Sequence, residues 1–145
     1  MKLLITGASG LLGGEIAARI AAHPELRISH VFKLCHDKRD GYIDADITSD
    51  AGFRKVSGSE WDTAVHAAAW RDPDKCETDR EGAYRLNVEA TRRLALEAAA
   101  RKAKLVYVST DYVFPGTNPP YAEDDEPSPV NWYGQTKLAG EEAVL

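Results

Sequence analysis

The apolar positions of the chain follow two patterns, which are short continuous runs and helical spacing. An apolar run at residues 2–6 ends at Gly7 and predicts a buried strand. Apolar residues at helical spacing then predict a helix over residues 11–22, and the pair His23-Pro24 ends it because proline lacks a backbone N–H. The chain therefore opens with a predicted strand, a glycine turn and a helix.

The same two patterns alternate along the rest of the chain. Further strands are predicted at residues 27–34, 41–45, 62–68 and 105–109. Further helices are predicted from a cap at Thr48 or Ser49 to about residue 56, over residues 76–102 and over residues 132–145, with a proline-rich and acidic surface loop at residues 114–129. This alternation predicts an α/β fold, a Rossmann doubly wound parallel sheet of about five strands with helices on both faces.

The last predicted helix runs to Leu145 without a glycine cap or a proline stop. A doubly wound sheet normally continues beyond this point. We therefore expect a C-terminally truncated fold, in which residues 1–145 form one NAD(P)-binding Rossmann domain and the substrate domain is absent from this chain.

Composition excludes several classes of function. With 43% hydrophobic and 28% charged residues the chain is expected to fold, and its formal charge of −5 comes without a basic block for nucleic acid. No apolar run approaches the roughly 20 residues of a membrane-spanning helix. Cys35 and Cys76 have no metal-ligand spacing, so we expect free thiols, no metal site and a cytoplasmic protein, with residues 123–126 as a solvated acidic loop.

A glycine motif lies between the first predicted strand and the first predicted helix. Gly7 permits a tight turn, Gly10 lets the backbone approach a pyrophosphate, and Gly13 lets the helix pack closely on the sheet. Backbone amides at Gly10, Leu11 and Leu12 would then face the anion at the positive end of the helix. The alternative is an ordinary turn in which the glycines only tolerate positive φ.

The segment at residues 33–39 indicates which dinucleotide binds. An acidic residue about 20 positions after the glycine motif normally binds the adenosine ribose of NAD. Here Lys33, His36, Lys38 and Arg39 supply four groups that are cationic or become so on protonation, which suit the 2′-phosphate of NADP. We therefore favour NADP(H), with Arg39 or Lys38 pairing the 2′-phosphate, while Asp37 keeps NAD(H) open.

Tyr133 and Lys137 are four residues apart on the last predicted helix, so their side chains share one face. A neighbouring ammonium favours the phenolate form of a tyrosine, which suits the pair to acid–base catalysis. Thr110 follows a predicted strand at the carboxyl edge of the sheet, where its hydroxyl can steady a substrate carbonyl. The alternative for Thr110 is a hydroxyl that caps the loop.

Two segments carry a resemblance to a known family. Residues 109–116 read Ser-Thr-Asp-Tyr-Val-Phe-Pro-Gly, and residues 133–141 read Tyr-Gly-Gln-Thr-Lys-Leu-Ala-Gly-Glu. With the glycine motif, they make the chain resemble the extended short-chain dehydrogenase/reductase family over essentially its whole length, and within it the dTDP-4-dehydrorhamnose reductases. The resemblance implies NADPH-dependent reduction of the 4-keto group of a nucleotide-linked 6-deoxy sugar, and it allows a homodimer.

The same resemblance implies roles for individual residues. It makes Thr110, Tyr133 and Lys137 the catalytic trio, and it places Gly10, Leu11 and Leu12 on the pyrophosphate. It assigns Asp46 and Ile47 to the adenine edge and Ala67, Ala68 and Ala69 to the nicotinamide side. Asn87 matches the asparagine of a family helix, with a solvent-facing or helix-bending amide as the alternative. His66 stands where these reductases often carry asparagine, and we expect a structural role for it.

A second resemblance belongs to a different functional class. Residues 117–121, Thr-Asn-Pro-Pro-Tyr, and residues 140–145, Gly-Glu-Glu-Ala-Val-Leu, are similar to the regulatory subunit of methionine adenosyltransferase. That resemblance implies an NADP-binding regulatory module with the same fold. The sequence thus leaves two functions open, a sugar-nucleotide reductase and a non-catalytic binding partner.

Overall fold

The computed structural model describes residues 1–145, and its centre is a five-stranded sheet in which every strand pair is parallel. The strands are β1 (Lys2–Thr6), β2 (His30–Cys35), β3 (Ile43–Asp44), β4 (Thr63–His66) and β5 (Lys104–Tyr107). Their order is β3-β2-β1-β4-β5. The predicted Rossmann α/β fold is confirmed.

Six helices accompany the sheet. They are α1 (Leu11–Ala22), α2 (Asp50–Ser57), α3 (Pro73–Thr78), α4 (Arg80–Tyr84), α5 (Thr91–Arg101) and α6 (Trp132–Val144). A π-helical segment, Arg85–Ala90, joins α4 to α5, and short 3-10 turns occupy Pro24–Leu26 and Asp111–Val113. None of these helices combines the length and the apolarity needed to cross a bilayer.

The strand order reverses at β1, which lies between β2 and β4. Thr6 at the carboxyl end of β1 is in register with His66 at the carboxyl end of β4. In open α/β sheets, ligands bind outside the carboxyl ends of the strands where the order reverses. We therefore expect a ligand to bind beside the residues that follow Thr6 and His66.

The apolar run of β1 is buried on both faces of the sheet. Leu3 and Ile5 pack with Ile16 and Ile20 of α1, while Leu4, which alternates with them, is also fully buried. A central strand of a parallel sheet is covered on both sides, so it reads as a continuous apolar run. This explains why the first strand was predicted with its observed bounds.

The chain divides into two compact units. The first comprises residues 1–68 and 93–108 and contains the whole sheet. The second comprises residues 69–92 and 109–145, with α3, α4, the π-helical segment and α6. The interpretation of residues 1–145 as one NAD(P)-binding domain stays a prediction.

The predicted helix over residues 76–102 is wrong at its start and in its continuity. It begins at Pro73, because the side chain of Asp72 accepts a hydrogen bond from the Lys75 amide as an N-cap. It is interrupted at Asp79, which has φ −128° and whose carboxylate caps α4 by accepting from the Gly82 amide. Aspartate competes for backbone amides in this way, which ends one helix and starts the next.

The strand bounds also differ from the predicted ones. The second strand starts at His30 rather than at residue 27, because Arg27 has a left-handed conformation with φ 54° after the Pro24–Leu26 turn. The strand predicted at residues 62–68 narrows to Thr63–His66, and that at residues 105–109 becomes Lys104–Tyr107. Ser49 rather than Thr48 caps α2, since its hydroxyl accepts from the Gly52 amide.

Candidate functional site

Gly7 makes the turn that ends β1, and no other residue fits there without strain. Its φ is +65°, which side chains with a Cβ rarely adopt. A Cβ at this position would lie 2.7 Å from the Ala68 amide nitrogen and 2.8 Å from the Ala67 carbonyl carbon. Gly7 therefore brings the chain after β1 against the chain after β4. Three residues predicted to bind the cofactor, Gly7, Ala67 and Ala68, lie together there.

Gly13 and Gly10 differ in what surrounds them. A Cβ on Gly13, in the first turn of α1, would collide with the carbonyl oxygen of Gly7, whereas a Cβ on Gly10 would meet only that oxygen, at 3.2 Å. Gly10 is the exposed N-cap of α1 and makes no side-chain capping bond. The first turn of α1 is thus held close to the loop, while the amides that follow Gly10 have no side-chain cap.

Leu11 and Leu12, which were predicted to contact the pyrophosphate, form the start of α1 and are exposed, Leu11 to 86%. The predicted contact with the pyrophosphate is made by their backbone amides, and it stays a prediction.

A buried pair beneath the loop was not predicted. The Thr6 hydroxyl lies 2.6 Å from His66 Nδ1 and accepts a hydrogen bond from the Ala68 amide at 3.2 Å. Both side chains are almost fully buried. His66 thus has the structural role expected for it, and with Thr6 it holds Ala67 and Ala68 beside Gly7. The sequence signal for this pair is a threonine and a histidine that end two neighbouring strands at aligned positions.

The four basic side chains in β2 and directly after it have different surroundings. Lys33 Nζ lies 4.4 Å from the centre of the Tyr42 ring, and His36 Nε2 is 3.4 Å from the carboxylate of Asp37. Lys38 and Arg39 are exposed and make no side-chain hydrogen bond or ion pair. Lys38 and Arg39, the two residues predicted to pair the 2′-phosphate, therefore have no partner for their charge within the protein.

Asp46 and Ile47 lie in the turn between β3 and α2. The Asp46 carboxylate accepts hydrogen bonds from the Thr48 amide at 2.9 Å and the Thr48 hydroxyl at 2.7 Å. Ile47 is buried. The side chain of Asp46 therefore stabilises its own turn, and the contact of both residues with adenine stays a prediction.

In the second unit, the start of α6 is packed tightly against the Asp111–Val113 turn. Asn131 caps the helix by accepting from the Gly134 amide, and a Cβ on Gly134 would collide with the Tyr112 carbonyl oxygen. The rings of Tyr112 and Tyr133 meet edge to face with 5.5 Å between their centres. A glycine one residue after Tyr133 thus allows the close approach that orients the Tyr133 ring.

Lys137 is buried, with 2% of its surface exposed. Burial lowers the pKa of its ammonium from 10.5 to about 8, and the negative charge of Glu141 opposes part of this decrease. Glu141, one helical turn later, accepts a hydrogen bond from the Ser109 hydroxyl. Lys137 is therefore a buried amine with a pKa of about 8, and not a solvated charge on the surface.

Thr110 caps the Asp111–Val113 turn. Its hydroxyl accepts from the Tyr112 amide at 3.3 Å and donates to the Asp111 carboxylate at 3.3 Å. The capping arrangement that the sequence left open is therefore present. A catalytic role for this hydroxyl stays a prediction, as does the nicotinamide contact of Ala69, which begins the second unit.

Asn87 is buried in the π-helical segment, so the solvent-facing alternative is wrong. Its side chain accepts from the Trp70 amide at 2.8 Å and donates to the Trp70 carbonyl at 3.0 Å and to the Thr136 hydroxyl at 3.0 Å. Trp61 is buried and its indole N–H donates to the Val56 carbonyl, while the indole N–H of Trp132 donates to the Arg80 carbonyl. Cys35 and Cys76 are buried free thiols, as expected.

Comparisons with known proteins agree with this geometry. Methionine adenosyltransferase 2 subunit beta of Rattus norvegicus is 44% identical over 144 residues, which are 99% of this chain and 42% of the relative. The structure of a hypothetical dTDP-4-dehydrorhamnose reductase from Sulfolobus tokodaii matches with a TM-score of 0.89 and 36% identity, over 100% of this chain and 52% of its own. The chain thus spans about half the length of these relatives.

Two further structures were solved with dinucleotides bound. One is the dTDP-4-dehydrorhamnose reductase of Bacillus anthracis in complex with NADP, with a TM-score of 0.82 and 36% identity over 99% of this chain and 49% of its own. The other is MoeE5 in complex with UDP-glucose and NAD, with a TM-score of 0.86 and 25% identity over 99% of this chain and 48% of its own. Both possible dinucleotides therefore occur among the structural neighbours.

The family model described as RmlD substrate binding domain matches residues 1–145, the entire chain. This match agrees with the parallel sheet, the glycine turn after β1 and the tyrosine and lysine of α6. The chain belongs to the RmlD substrate binding domain family, among the extended short-chain dehydrogenases/reductases.

Proposed function

We propose that the protein is an NADPH-dependent reductase of a nucleotide-linked 4-keto-6-deoxy sugar, and that residues 1–145 are its NAD(P)-binding Rossmann domain. The observation that carries this proposal is the burial of Lys137 on the helix that bears Tyr133. A buried ammonium costs free energy, so an apolar side chain would stabilise the fold better. A strongly shifted pKa in such a position is typical of a functional group.

The loop after β1 fits the phosphates of a dinucleotide. Gly7 and Gly13 have no room for a Cβ, and Gly10 is exposed, so an anion can approach the first amides of α1 without a side chain in the way. The Gly10 amide already donates to the Gly7 carbonyl at 2.9 Å, so we assign the pyrophosphate to the amides of Leu11 and Leu12, with Gly10 leaving space for it. When bound, the nicotinamide supplies the hydride, and the protein supplies orientation and charge.

We infer NADP rather than NAD from the end of β2. Lys38 and Arg39 are exposed cations with no internal partner, and a 2′-phosphate would give them one. The complex of the Bacillus anthracis reductase with NADP supports this choice. Titrating NADPH and NADH onto the protein tests it, and tighter binding of NADH would overturn it.

The second unit provides the acid–base groups. In the proposed reaction, the Tyr133 hydroxyl donates a proton to the carbonyl oxygen at the 4-position of the sugar, and the Lys137 ammonium stabilises the phenolate that remains. The Thr110 hydroxyl donates only one long hydrogen bond, to Asp111, and is proposed to turn toward the substrate carbonyl. We also propose Ala67, Ala68 and Ala69 for the nicotinamide side, and Asp46 and Ile47 for the adenine edge.

A second function is favoured by one specific observation. The 44% identity to methionine adenosyltransferase 2 subunit beta exceeds the 36% identity to the reductase structures described above. The alternative is therefore an NADP-binding regulatory subunit without catalysis. Retention of Thr110, Tyr133 and Lys137 is compatible with both functions.

One paired experiment separates the two functions. The full-length protein is incubated with NADPH and a dTDP-linked 4-keto-6-deoxy sugar, and NADPH oxidation is followed. In parallel, a purified catalytic subunit of methionine adenosyltransferase is tested for co-elution with it. Sugar-dependent oxidation without co-elution supports the reductase, whereas co-elution without oxidation supports the regulatory subunit.

A further inference from the structure

The tyrosine proposed for catalysis lies in the first turn of its helix, where the backbone amides need partners other than helical carbonyls. The Gln135 amide bonds the carbonyl of the N-cap residue Asn131 at 3.0 Å. The amides before Gln135 have no carbonyl one turn earlier in the helix, and helix ends of this kind fray. The direction in which Tyr133 projects therefore depends on what holds the first turn of α6.

Two side chains bond amides of this first turn. The Gly134 amide donates to Asn131 at 2.8 Å, and the Trp132 amide donates to the carboxylate of Glu77 at 2.7 Å. Glu77 lies 55 positions before Trp132, in α3. A carboxylate is a strong acceptor at this place, because the bond is charge-assisted and the helix dipole is positive at its start. Glu77 thus links the start of α6 to another helix of the second unit.

Arg80 contacts both Glu77 and Trp132. Its guanidinium donates to the Glu77 carboxylate from Nη2 at 2.6 Å and from Nε at 3.2 Å, and it lies 5.1 Å from the centre of the Trp132 ring. The Trp132 indole N–H donates to the Arg80 carbonyl at 3.0 Å. Each of these three residues, which we call the Glu77 cluster, therefore contacts the other two.

The Glu77 cluster is better suited to fix a geometry than to stabilise the fold. The side chains of Glu77 and Arg80 are 39% and 62% exposed, and ion pairs at such exposure are worth about 1 kcal/mol or less. Trp132 is nevertheless held at its amide, at its indole N–H and at its ring. Three contacts in different directions leave its backbone little freedom to move.

We propose that the Glu77 cluster positions Tyr133 for proton transfer by fixing the first turn of α6. Tyr133 follows Trp132 directly in the chain, so a shift of the Trp132 backbone moves the phenol with it. Positioning matters for rate because an error of about 1 Å in a reacting group can cost about 100-fold. The inference rests on the reductase function proposed above, and it assigns Glu77, Arg80 and Trp132 no contact with substrate.

A group of the same composition in the first unit provides the matched control. The Arg101 guanidinium donates to the Glu97 carboxylate at 2.6 Å and lies 4.8 Å from the centre of the Trp61 ring. The Glu97 and Arg101 side chains are 23% and 22% exposed, so loss of Glu97 should destabilise the fold at least as much as loss of Glu77. Glu97 belongs to α5 and bonds no residue of α6 through its carboxylate.

The kinetic test compares three variants of the full-length protein. Glu77→Ala removes the carboxylate, Glu77→Gln keeps an oxygen that can accept from the Trp132 amide, and Glu97→Ala is the control. We expect Glu77→Ala to lower kcat by about fivefold or more with the Kd for NADPH within about twofold, and Glu77→Gln to restore most of kcat. We expect Glu97→Ala to lower the melting temperature at least as far and to keep kcat within about twofold.

Three kinetic results would overturn the inference. They are an unchanged kcat in Glu77→Ala, an equal loss of kcat in Glu97→Ala, and no recovery of kcat in Glu77→Gln. The melting temperatures of the variants separate a loss of kcat from a loss of stability, because only the positioning role makes the two sites differ in kcat.

Hydrogen exchange at the Gly134 amide gives a readout that does not depend on catalysis. Its acceptor, Asn131, is intact in all three variants, so faster exchange there reports a loosened first turn and not a missing acceptor. We expect exchange about tenfold faster than wild type in Glu77→Ala and within about twofold of wild type in Glu97→Ala. If the wild-type protein binds NADPH but reduces no sugar, the proposed function fails and exchange alone decides the inference. Equal exchange rates at Gly134 in the two alanine variants would then overturn it.

Discussion

In the first compact unit, five of the ten residues proposed to bind the cofactor are glycines or alanines, whereas in the second unit the groups proposed for catalysis are two hydroxyls and one amine. Gly7, Gly10 and Gly13 are proposed to act through the space that they leave, where a Cβ would meet the backbone of the loop. Tyr133 and Lys137 are proposed to act through their side chains, and the Tyr133 ring lies where Gly134 allows a close approach to the Tyr112 backbone. We therefore expect the loop after β1 to respond chiefly to added atoms, and the proposed catalysis of the second unit to respond chiefly to the removal of polar groups.

The largest predicted effect is in the first unit, for Gly7→Ala. A Cβ there would lie 2.7 Å from the Ala68 amide nitrogen on a backbone with φ +65°. Overpacking and left-handed strain together predict a loss of about 3 kcal/mol or more in the free energy of unfolding. Urea denaturation measures it, and a loss below about 1 kcal/mol would show that the loop adapts easily.

In the second unit, Lys137→Met should raise the free energy of unfolding, whereas Gly7→Ala lowers it. The pKa of Lys137 is about 8 in the folded protein and ordinarily 10.5, so between these values the unfolded chain binds more protons and stability rises with pH. Below pH 8 the buried charge destabilises the fold, so Lys137→Met should be more stable than wild type by about 3 kcal/mol at pH 7.

The pH dependence provides the control for this prediction. The advantage of Lys137→Met over wild type should shrink by about 2 kcal/mol between pH 7 and pH 9.5, because wild-type Lys137 loses its proton there. Urea denaturation at both pH values measures it. An advantage that does not change with pH would mean that the amine is not titrating in the folded protein.

Gly10→Ala tests whether the space beside Gly10 is needed for packing or for binding a ligand. Its Cβ would meet only the Gly7 carbonyl oxygen, at 3.2 Å, so the free energy of unfolding should change by less than about 1 kcal/mol. The methyl group would nevertheless stand where a pyrophosphate approaches, and NADPH affinity should fall by about tenfold or more. Unchanged NADPH affinity in calorimetric titration would remove Gly10 from the proposed site.

The smallest predicted effect concerns Arg39, which is exposed and unpaired. Arg39→Ala should weaken NADPH binding by about tenfold, which corresponds to the loss of one charge-assisted contact with the 2′-phosphate. NADH binding should stay within about twofold of wild type, and Lys33→Ala is the control because Lys33 already contacts Tyr42. Equal losses for NADPH and NADH would indicate a general charge effect.

The same contrast explains how far the sequence could be interpreted. The glycine spacing and the apolar run of β1 have local causes, so the opening strand, turn and helix were predicted with their observed bounds. The break at Asp79 was missed because helical periodicity continues through it, while one carboxylate caps the next helix. The hydrogen bond between Thr6 and His66 joins residues 60 positions apart, and the one between Asn87 and Thr136 joins residues 49 positions apart. No local sequence pattern indicates contacts between residues so far apart in the chain.

Tyr133→Phe tests the central claim most directly, because it removes one hydroxyl and leaves the fold, the loop after β1 and Lys137 in place. The measurement is the rate at which the full-length wild type and the variant oxidise NADPH when a dTDP-linked 4-keto-6-deoxy sugar is added. The account predicts sugar-dependent oxidation by the wild type and a rate about 10² to 10⁴ times lower in the variant, with unchanged NADPH affinity. Equal rates in the two proteins, or no sugar-dependent oxidation by the wild type, would contradict it.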